Sequence, residues 1–520
     1  MADTADLTSI DDFVRHWAAE KPDAVILEEG DETITFAENE ENGRRMIAAL
    51  AAMGVRKGDR IAWLGKNSAL YFQLLFAAGR AGIVTVPIGW RLATPEVEFI
   101  LKDTGAKVVF AGEGFDAAAR EAAARSSQPP RVISLAEARA VFAAAPASPF
   151  EPAAPDDAVL QLYTSGTTGN PKGAVLSARN LFGLRAAAAQ SDELPWQTYG
   201  DDEAILVCMP CAHIGGTGLG IMSLGAGIRG IVQAEFTPEG CLAGIEAGIT
   251  RFFIVPAALQ MVIQHPKAKE TDFSRLKYVM YGAAPIPLEL LREAVETISN
   301  ADFLQCYGMT ETTGTVAMLF PEDHSLEDGN PRMRSAGKAL PGVELKIVGP
   351  DGEELPRGEV GEVVTRSSNN MLGYWNLPEA TAKTLTADGW VHTGDAAYMD
   401  EDGYIYIQDR MKDMIISGGE NVYPAEVESA IYGHPDVAEV AVIGVPDDKW
   451  GEAVKACVVA KPGREVDPDN VIAWARERIA GFKAPKSVDV IPELPRNPSG
   501  KILRRQLREP YWVGRERRVN

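Results

Sequence analysis

Cysteine is scarce, with five in 520 residues, too few for a disulfide framework in a chain of this length. Positive charge is scarce as well. Lys and Arg total 51 against 73 Asp and Glu, a formal net charge of −22, so nucleic-acid phosphates would meet a repulsive field and no nucleic-acid partner is expected. The N-terminal residues Met1 to Asp6 lack the basic and apolar regions of a signal peptide, which makes the cytoplasm the expected compartment. One uncharged run, Ala204 to Ile228, is long enough to span a bilayer, but it holds Pro210, His213 and six glycines. It is expected to break into strand, loop and helix, leaving no integral membrane segment.

What the chain does have is apolar surface. At 46% hydrophobic and 24% charged residues it reads as a soluble globular protein of two to four compact units. Thr35 and Glu38 form a capping-box pattern before helically spaced Met46, Ile47, Leu50 and Met53. Arg60–Leu64 (strand), Leu70–Ala78 (helix), Ile83–Ile88 (strand), a helix opened by Thr94-Pro95, and Lys107–Ala111 (strand) complete a β-α-β rhythm, hence a parallel sheet covered by helices. The Ala/Pro-rich stretch Ala117–Ala154 is expected to be a surface helix and a connector. A second α/β pattern begins at Val159, with strands expected at Ala204–Met209, Phe252–Val255 and Tyr278–Tyr281. From Ser335, alternation and glycine turns indicate a strand-rich subdomain containing Val343–Val348 and Gly361–Thr365. Beyond Asp409 the expected order is helix (Ala425–Tyr432), strands (Val440–Val445, Val454–Val459), helix (Pro468–Ile479) and strand (Ser487–Ile491). The fold class is therefore α/β: a large N-terminal domain (1–409) of stacked, mostly parallel sheets with a β-rich subdomain, and a small α+β C-terminal lid (410–520).

The strongest local signal is Tyr163-Thr-Ser-Gly-Thr-Thr-Gly-Asn-Pro-Lys-Gly173, a strand end running into a loop of hydroxyls and glycines with one lysine. Glycines let backbone N–H groups approach phosphate oxygens, Ser165, Thr167 and Thr168 can donate hydrogen bonds, and Lys172 supplies a cation. The Walker A pattern does not fit, since Pro171 stands where glycine is required. A Ser/Thr/Gly turn without a ligand is the alternative. Cys208 and Cys211 have the C-x-x-C spacing with His213 nearby, but no second ligand pair accompanies them.

This segment resembles the phosphate loop of the adenylate-forming superfamily of acyl- and aryl-CoA synthetases, luciferases and peptide-synthetase adenylation domains. Gln305-Cys-Tyr-Gly-Met-Thr-Glu-Thr312, Gly389-Trp-Val-His-Thr-Gly-Asp395, Asp409-Arg-Met-Lys-Asp-Met-Ile-Ile-Ser-Gly-Gly-Glu-Asn421 and Pro495-Arg-Asn-Pro-Ser-Gly-Lys501 resemble its later signatures, in its order. The resemblance implies ATP binding by Thr164, Ser165, Gly166, Thr167, Thr168, Gly169 and Lys172, by the adenine-facing loop Gly282, Ala283 and Ala284, and by Tyr307, Gly308 and Thr310. Asp395 and Arg410 would hold the ribose, and Glu311 with Thr167 would ligate Mg²⁺.

Lys501, His213 and Thr310 are implied catalytic residues, Lys501 by stabilising charge as a carboxylate attacks the α-phosphoryl group. Lys412 is the implied lid hinge, and Ser417, Gly418 and Gly419 the wall of a channel for coenzyme A. His213, Ile214, Gly215, Tyr281, Met309 and Val316 could line an acyl pocket, although each could equally be core. No acid lies between Cys211 and Thr217 to pair with a substrate ammonium, which points to a carboxylic acid without an α-amino group. The implied reaction is ATP-dependent acid–CoA ligation, with ATP, Mg²⁺ and coenzyme A as co-substrates. A different acyl acceptor, a non-catalytic nucleotide binder and a homodimer are left open.

Overall fold

A computed structural model describes residues 4–513 except Ser127, residues 165–170, 191–193 and 328–329, Lys412, Gly419 and residues 497–501; of Gln190 and Pro195 it describes the backbone alone. Among the described residues the strands form sheets of seven, nine, four and five strands. The seven-stranded sheet is built around Arg60–Leu64, which pairs in parallel with both Val84–Ile88 and Val108–Ala111. Its other edge is an antiparallel pair, Ala158–Thr164 with Lys172–Ser177, joined by the two-residue strand Gly373–Tyr374. In the nine-stranded sheet, Ala204–Val207, Arg251–Ile254, Tyr278–Gly282 and Asp302–Met309 run parallel side by side.

Helix Ala69–Arg80 has every residue buried, and its side chains share one core with strands of both large sheets. This accounts for a helix that is apolar on all sides. Helix Phe36–Ala52 opens with the capping box read from the sequence: Glu38 N donates to Thr35 Oγ1 at 3.2 Å and Thr35 N to Glu38 Oε2 at 2.8 Å. The uncharged run divides as expected into strand Ala204–Val207 and helix Ile214–Ala226, and no described helix is long and apolar enough to cross a membrane. Gly220 in that helix must be glycine, because a Cβ there would lie 2.3 Å from the Phe72 ring.

The stretch Ala117–Ala154 corrects the sequence expectation. It forms helices Asp116–Ala124 and Leu135–Ala144, with a strand, Arg131–Ser134, that extends the seven-stranded sheet beside Val108–Ala111. Ile133 and Phe142 enter the core. The alanine-rich composition masked a four-residue edge strand anchored by Ile133 in one core cluster and by half-buried Val132 against another.

The four-stranded antiparallel sheet ends on Ile405–Arg410, paired with Val391–Met399. The C-terminal sheet is the long hairpin Val437–Asp447 with Gly451–Ala460, flanked by Ile415–Ser417 and by Ser487–Val490, with helices Pro424–Tyr432 and Pro468–Arg476.

Candidate active site

At the carboxyl ends of the parallel strands, Tyr278–Gly282 and Asp302–Met309 lie in register, Gly282 opposite Cys306. A Cβ on Gly282 would lie 2.1 Å from Cys306 O, and one on Gly308 1.8 Å from Gly314 O, so both must lack side chains. Ala283 adopts φ +65°, a costly conformation for a non-glycine residue and one that collects at functional loops. After Met309 the chain makes the tight turn Thr310–Thr312, where Thr312 Oγ1 donates to Gly314 O at 2.8 Å. Thr313, at φ +54°, is tied down by its hydroxyl on Asn369 O at 2.5 Å. The turn buries the Glu311 carboxylate, 5% exposed.

Asp395 and Arg410 are direct cross-strand partners. Arg410 Nε meets Asp395 Oδ1 at 2.9 Å, and Tyr307 OH donates to Asp395 Oδ2 at 2.7 Å. Arg410 Nη1 also donates to Thr393 O at 2.9 Å. Burial works against the Arg410 cation, but Asp395, then Tyr307 and Glu311, outweigh it and hold its pKa above the usual range. The Tyr307 phenol is kept neutral by burial first and by Asp395 second. The result is a pre-oriented carboxylate with one oxygen on Arg410 and the other on Tyr307, each keeping a lone pair for a further donor.

Residues 165–170 lie outside the described set, so Ser165, Gly166, Thr167, Thr168 and Gly169 receive no structural account. Their flanks do: Thr164 pairs with Lys172 across the antiparallel strands, and the Lys172 ammonium sits 4.9 Å from the centroid of the Tyr374 ring. Tyr374 OH donates to Glu311 Oε1 at 2.6 Å. Tyr374 thus links Lys172 to Glu311, and Glu311 in turn lies near enough to Arg410 to help raise its pKa.

His213 directly precedes helix Ile214–Ala226. Ile214, Gly215 and Met309 are half-buried, whereas Tyr281 and Val316 are 0% exposed. Tyr281 belongs to the core behind the sheet, its hydroxyl 3.0 Å from His324 Nε2; neither it nor Val316 presents surface to a substrate. Cys208 and Cys211 are buried thiols pushed up to about 12 by burial, and no described cluster of three His, Cys, Asp or Glu could hold a metal. Ser417 and Gly418 sit at the edge of the C-terminal sheet, Gly418 at φ +64° with its N–H on Trp450 O at 2.8 Å. Lys412, Gly419 and Lys501 lie outside the described residues.

Residues 14–375 match the AMP-binding enzyme family and residues 426–501 the AMP-binding enzyme C-terminal domain. The chain belongs to this family. It is 41% identical over 512 residues to a fatty acid–[acyl-carrier-protein] ligase of Streptomyces coeruleorubidus, covering 97% of this chain and 96% of that one. It is 40% identical over 495 residues to a feruloyl-CoA synthase of an Amycolatopsis species, covering 94% and 96%. Among solved structures, ATP-bound MatB from Rhodopseudomonas palustris superposes with a TM-score of 0.86 at 31% identity, covering 97% and 99% of the two chains.

Two features of this AMP-binding enzyme were missed in the sequence. Tyr374 carries no local motif that announces its two contacts. The second feature is an ionic cluster at the strand end: Asp409 Oδ2 accepts from Ala425 N at 2.9 Å, and Arg504 reaches Glu428 Oε2 at 2.7 Å and Asp409 Oδ1 at 3.9 Å. Burial drives the Asp409 carboxyl up to about 6 against the pull of Arg504, with Glu428 adding to the rise. The D-R dipeptide was the available signal, but the partners lie 16 to 95 residues downstream.

Proposed function

We propose that this AMP-binding enzyme is an ATP-dependent acid–CoA ligase that activates a carboxylic acid lacking an α-amino group as its acyl-adenylate. The convergence of Lys172, Glu311, Tyr307, Asp395 and Arg410 on one cleft carries this reading: each has the donor or acceptor chemistry that one part of a nucleoside triphosphate requires. Asp395 and Arg410 take the ribose hydroxyls, Tyr307 and the Gly282–Ala284 loop flank the base, and Lys172 meets the phosphates. Glu311 is a buried hard-oxygen donor and suits Mg²⁺ carried in with ATP, which would neutralise charge on the phosphates.

In the first half-reaction the substrate carboxylate attacks the α-phosphorus and the bond to pyrophosphate breaks. Lys501 supplies an ammonium to the developing charge, and Thr310 a hydroxyl to the same phosphate. In the second, the coenzyme A thiol attacks the acyl carbonyl, AMP leaves, and the thiol proton passes to solvent. The division at 409/410, with Lys412 as hinge and Ser417 to Gly419 as the thiol channel, separates the two steps. His213, Ile214, Gly215 and Met309 border the acid, and the reaction takes place in the cytoplasm.

The 41% identical relative that loads a carrier protein favours a second reading in which the acceptor is a carrier-protein thiol. A panel of short, long and aromatic acids, assayed for AMP release with coenzyme A or with a phosphopantetheinylated carrier, decides between them. Formation of ADP in place of AMP and pyrophosphate would overturn both. Lys501→Ala is expected to impair pyrophosphate exchange while a supplied acyl-adenylate still reacts with the thiol; unimpaired exchange would remove Lys501 from the chemistry.

A further inference from the structure

Segment 371–375 ties two parts of the cleft together through its backbone. Met371 N donates to Glu311 O at 2.8 Å, Leu372 N to Val175 O at 2.9 Å and Trp375 N to Gly173 O at 2.8 Å. Gly373 and Tyr374 stand opposite Val175 and Ala174 on the strand that begins at Lys172. The indole of Trp375 adds an anchor on Asp103 O at 2.9 Å. Tyr374 thus has a fixed register against both Lys172 and Glu311.

We propose that Tyr374 is a positioning residue for the metal-bound nucleotide: its hydroxyl orients the Glu311 carboxylate and its ring seats the Lys172 ammonium, so that metal ligand and phosphate cation meet the triphosphate in one register. The hydroxyl bond occupies Glu311 Oε1 at 2.6 Å. Among the described residues, Glu311 Oε2 accepts no hydrogen bond and the carboxylate has no ion-pair partner within 4 Å. Glu311 is 5% exposed, so the Tyr374 hydroxyl on Oε1 fixes the direction in which its carboxylate faces. The tyrosine ring presents its negative face to Lys172 at 4.9 Å, which holds the ammonium without neutralising it. A purely space-filling role would be served equally by phenylalanine.

The inference rests on the assignment of Glu311 to Mg²⁺, and the test separates the two. ATP is titrated into the full chain by calorimetry, without any acid substrate, once with EDTA and once with Mg²⁺, and the ratio of the two Kd values is taken. Each ratio comes from one preparation, so a reduced folded fraction cancels. Tyr374→Phe is expected to keep the metal-free Kd and to lose about 10-fold of the Mg²⁺-dependent gain, the lower end of the effect of removing a group that orients a metal ligand. Tyr374→Leu is expected to lose the same gain and, in addition, about 2- to 5-fold of metal-free affinity as the seat of Lys172 disappears. Glu311→Gln should abolish the gain. If Glu311→Gln abolishes it while both Tyr374 variants keep the parental ratio, the positioning role is refuted. If Glu311→Gln itself keeps the ratio, the metal assignment falls and this inference with it.

Discussion

Asp409 and Arg410 are consecutive residues at the end of one strand, yet they serve opposite faces of it. Arg410 turns to Asp395 at 2.9 Å, where charge, hydrogen bond and phenol close a compact pair. Asp409 turns to the C-terminal helices, where its nearest cation, Arg504, stands off at 3.9 Å while making its short contacts to Glu428. Both carboxylates are buried, Asp395 at 6% and Asp409 at 5% exposure, so burial alone does not distinguish them. Contact geometry does: a guanidinium in hydrogen-bond range compensates a buried carboxylate, and one an ångström further away, shared with a better partner, does not prevent the carboxyl from rising to about 6. One face holds its carboxylate in a compact ion pair, and the other leaves its carboxyl near neutrality in pKa, at about 6.

Four substitutions would break or sharpen this contrast. The largest effect is expected from Arg504→Met, which strands the Glu428 carboxylate and removes the cation nearest Asp409. Breaking such a pair costs about 3–5 kcal/mol, read as a lowered denaturation midpoint of the C-terminal domain by circular dichroism. A change below 1 kcal/mol would mean that the cluster is solvated.

Arg410→Met comes next, with ATP-dependent pyrophosphate exchange down about 100-fold, equivalent to about 2.7 kcal/mol at the loss of a charge-assisted contact set. Unchanged exchange would detach the pair from the nucleotide.

Asp409→Asn should expose the pH term. The native carboxyl titrates at about 6 against an ordinary 3.8. Between those values the fold keeps a proton that the unfolded chain releases, so this contribution is present near pH 4 and is lost as pH rises through 6. The shift corresponds to a few kcal/mol at most, on the order of 3. The stability of Asp409→Asn relative to the parent is therefore expected to grow between pH 4 and 7, measured as a difference in melting temperature. The difference is needed because buried His324, pushed down to about 4, titrates across the same window with the opposite sign. Tyr307→Phe should have the smallest effect, about 1 kcal/mol or a 5-fold rise in the KM for ATP, for one neutral hydrogen bond to Asp395.

Much of this was legible before the fold was known, because the parallel sheets have continuous apolar strands and the capping box at Thr35 is purely local. The pairing of Asp395 with Arg410 was legible only through the likeness of two separate motifs, since they lie fifteen residues apart and only strand pairing makes them neighbours. The edge strand Arg131–Ser134 was hidden by alanine-rich surroundings. Tyr281 and Val316 resembled pocket lining because apolar residues near a ligand loop look alike in sequence, and only packing assigns them to the core. The Asp409–Arg504 cluster and the two contacts of Tyr374 depend on long-range closure, which leaves no periodic trace.

The five cysteines were first noted for their scarcity, but their placement matters as well. All are buried, and burial raises the thiols of Cys208, Cys211 and Cys306 to about 12 and that of Cys457 to about 11, with Cys241 also well above its ordinary value. Thiolate is what alkylates, so the native sulfhydryls are protected from maleimide reagents at neutral pH. A cysteine introduced on the exposed face of each domain would then be the sole pair of labelling points, and fluorophores attached there would read the distance between the domains in an otherwise unaltered chain.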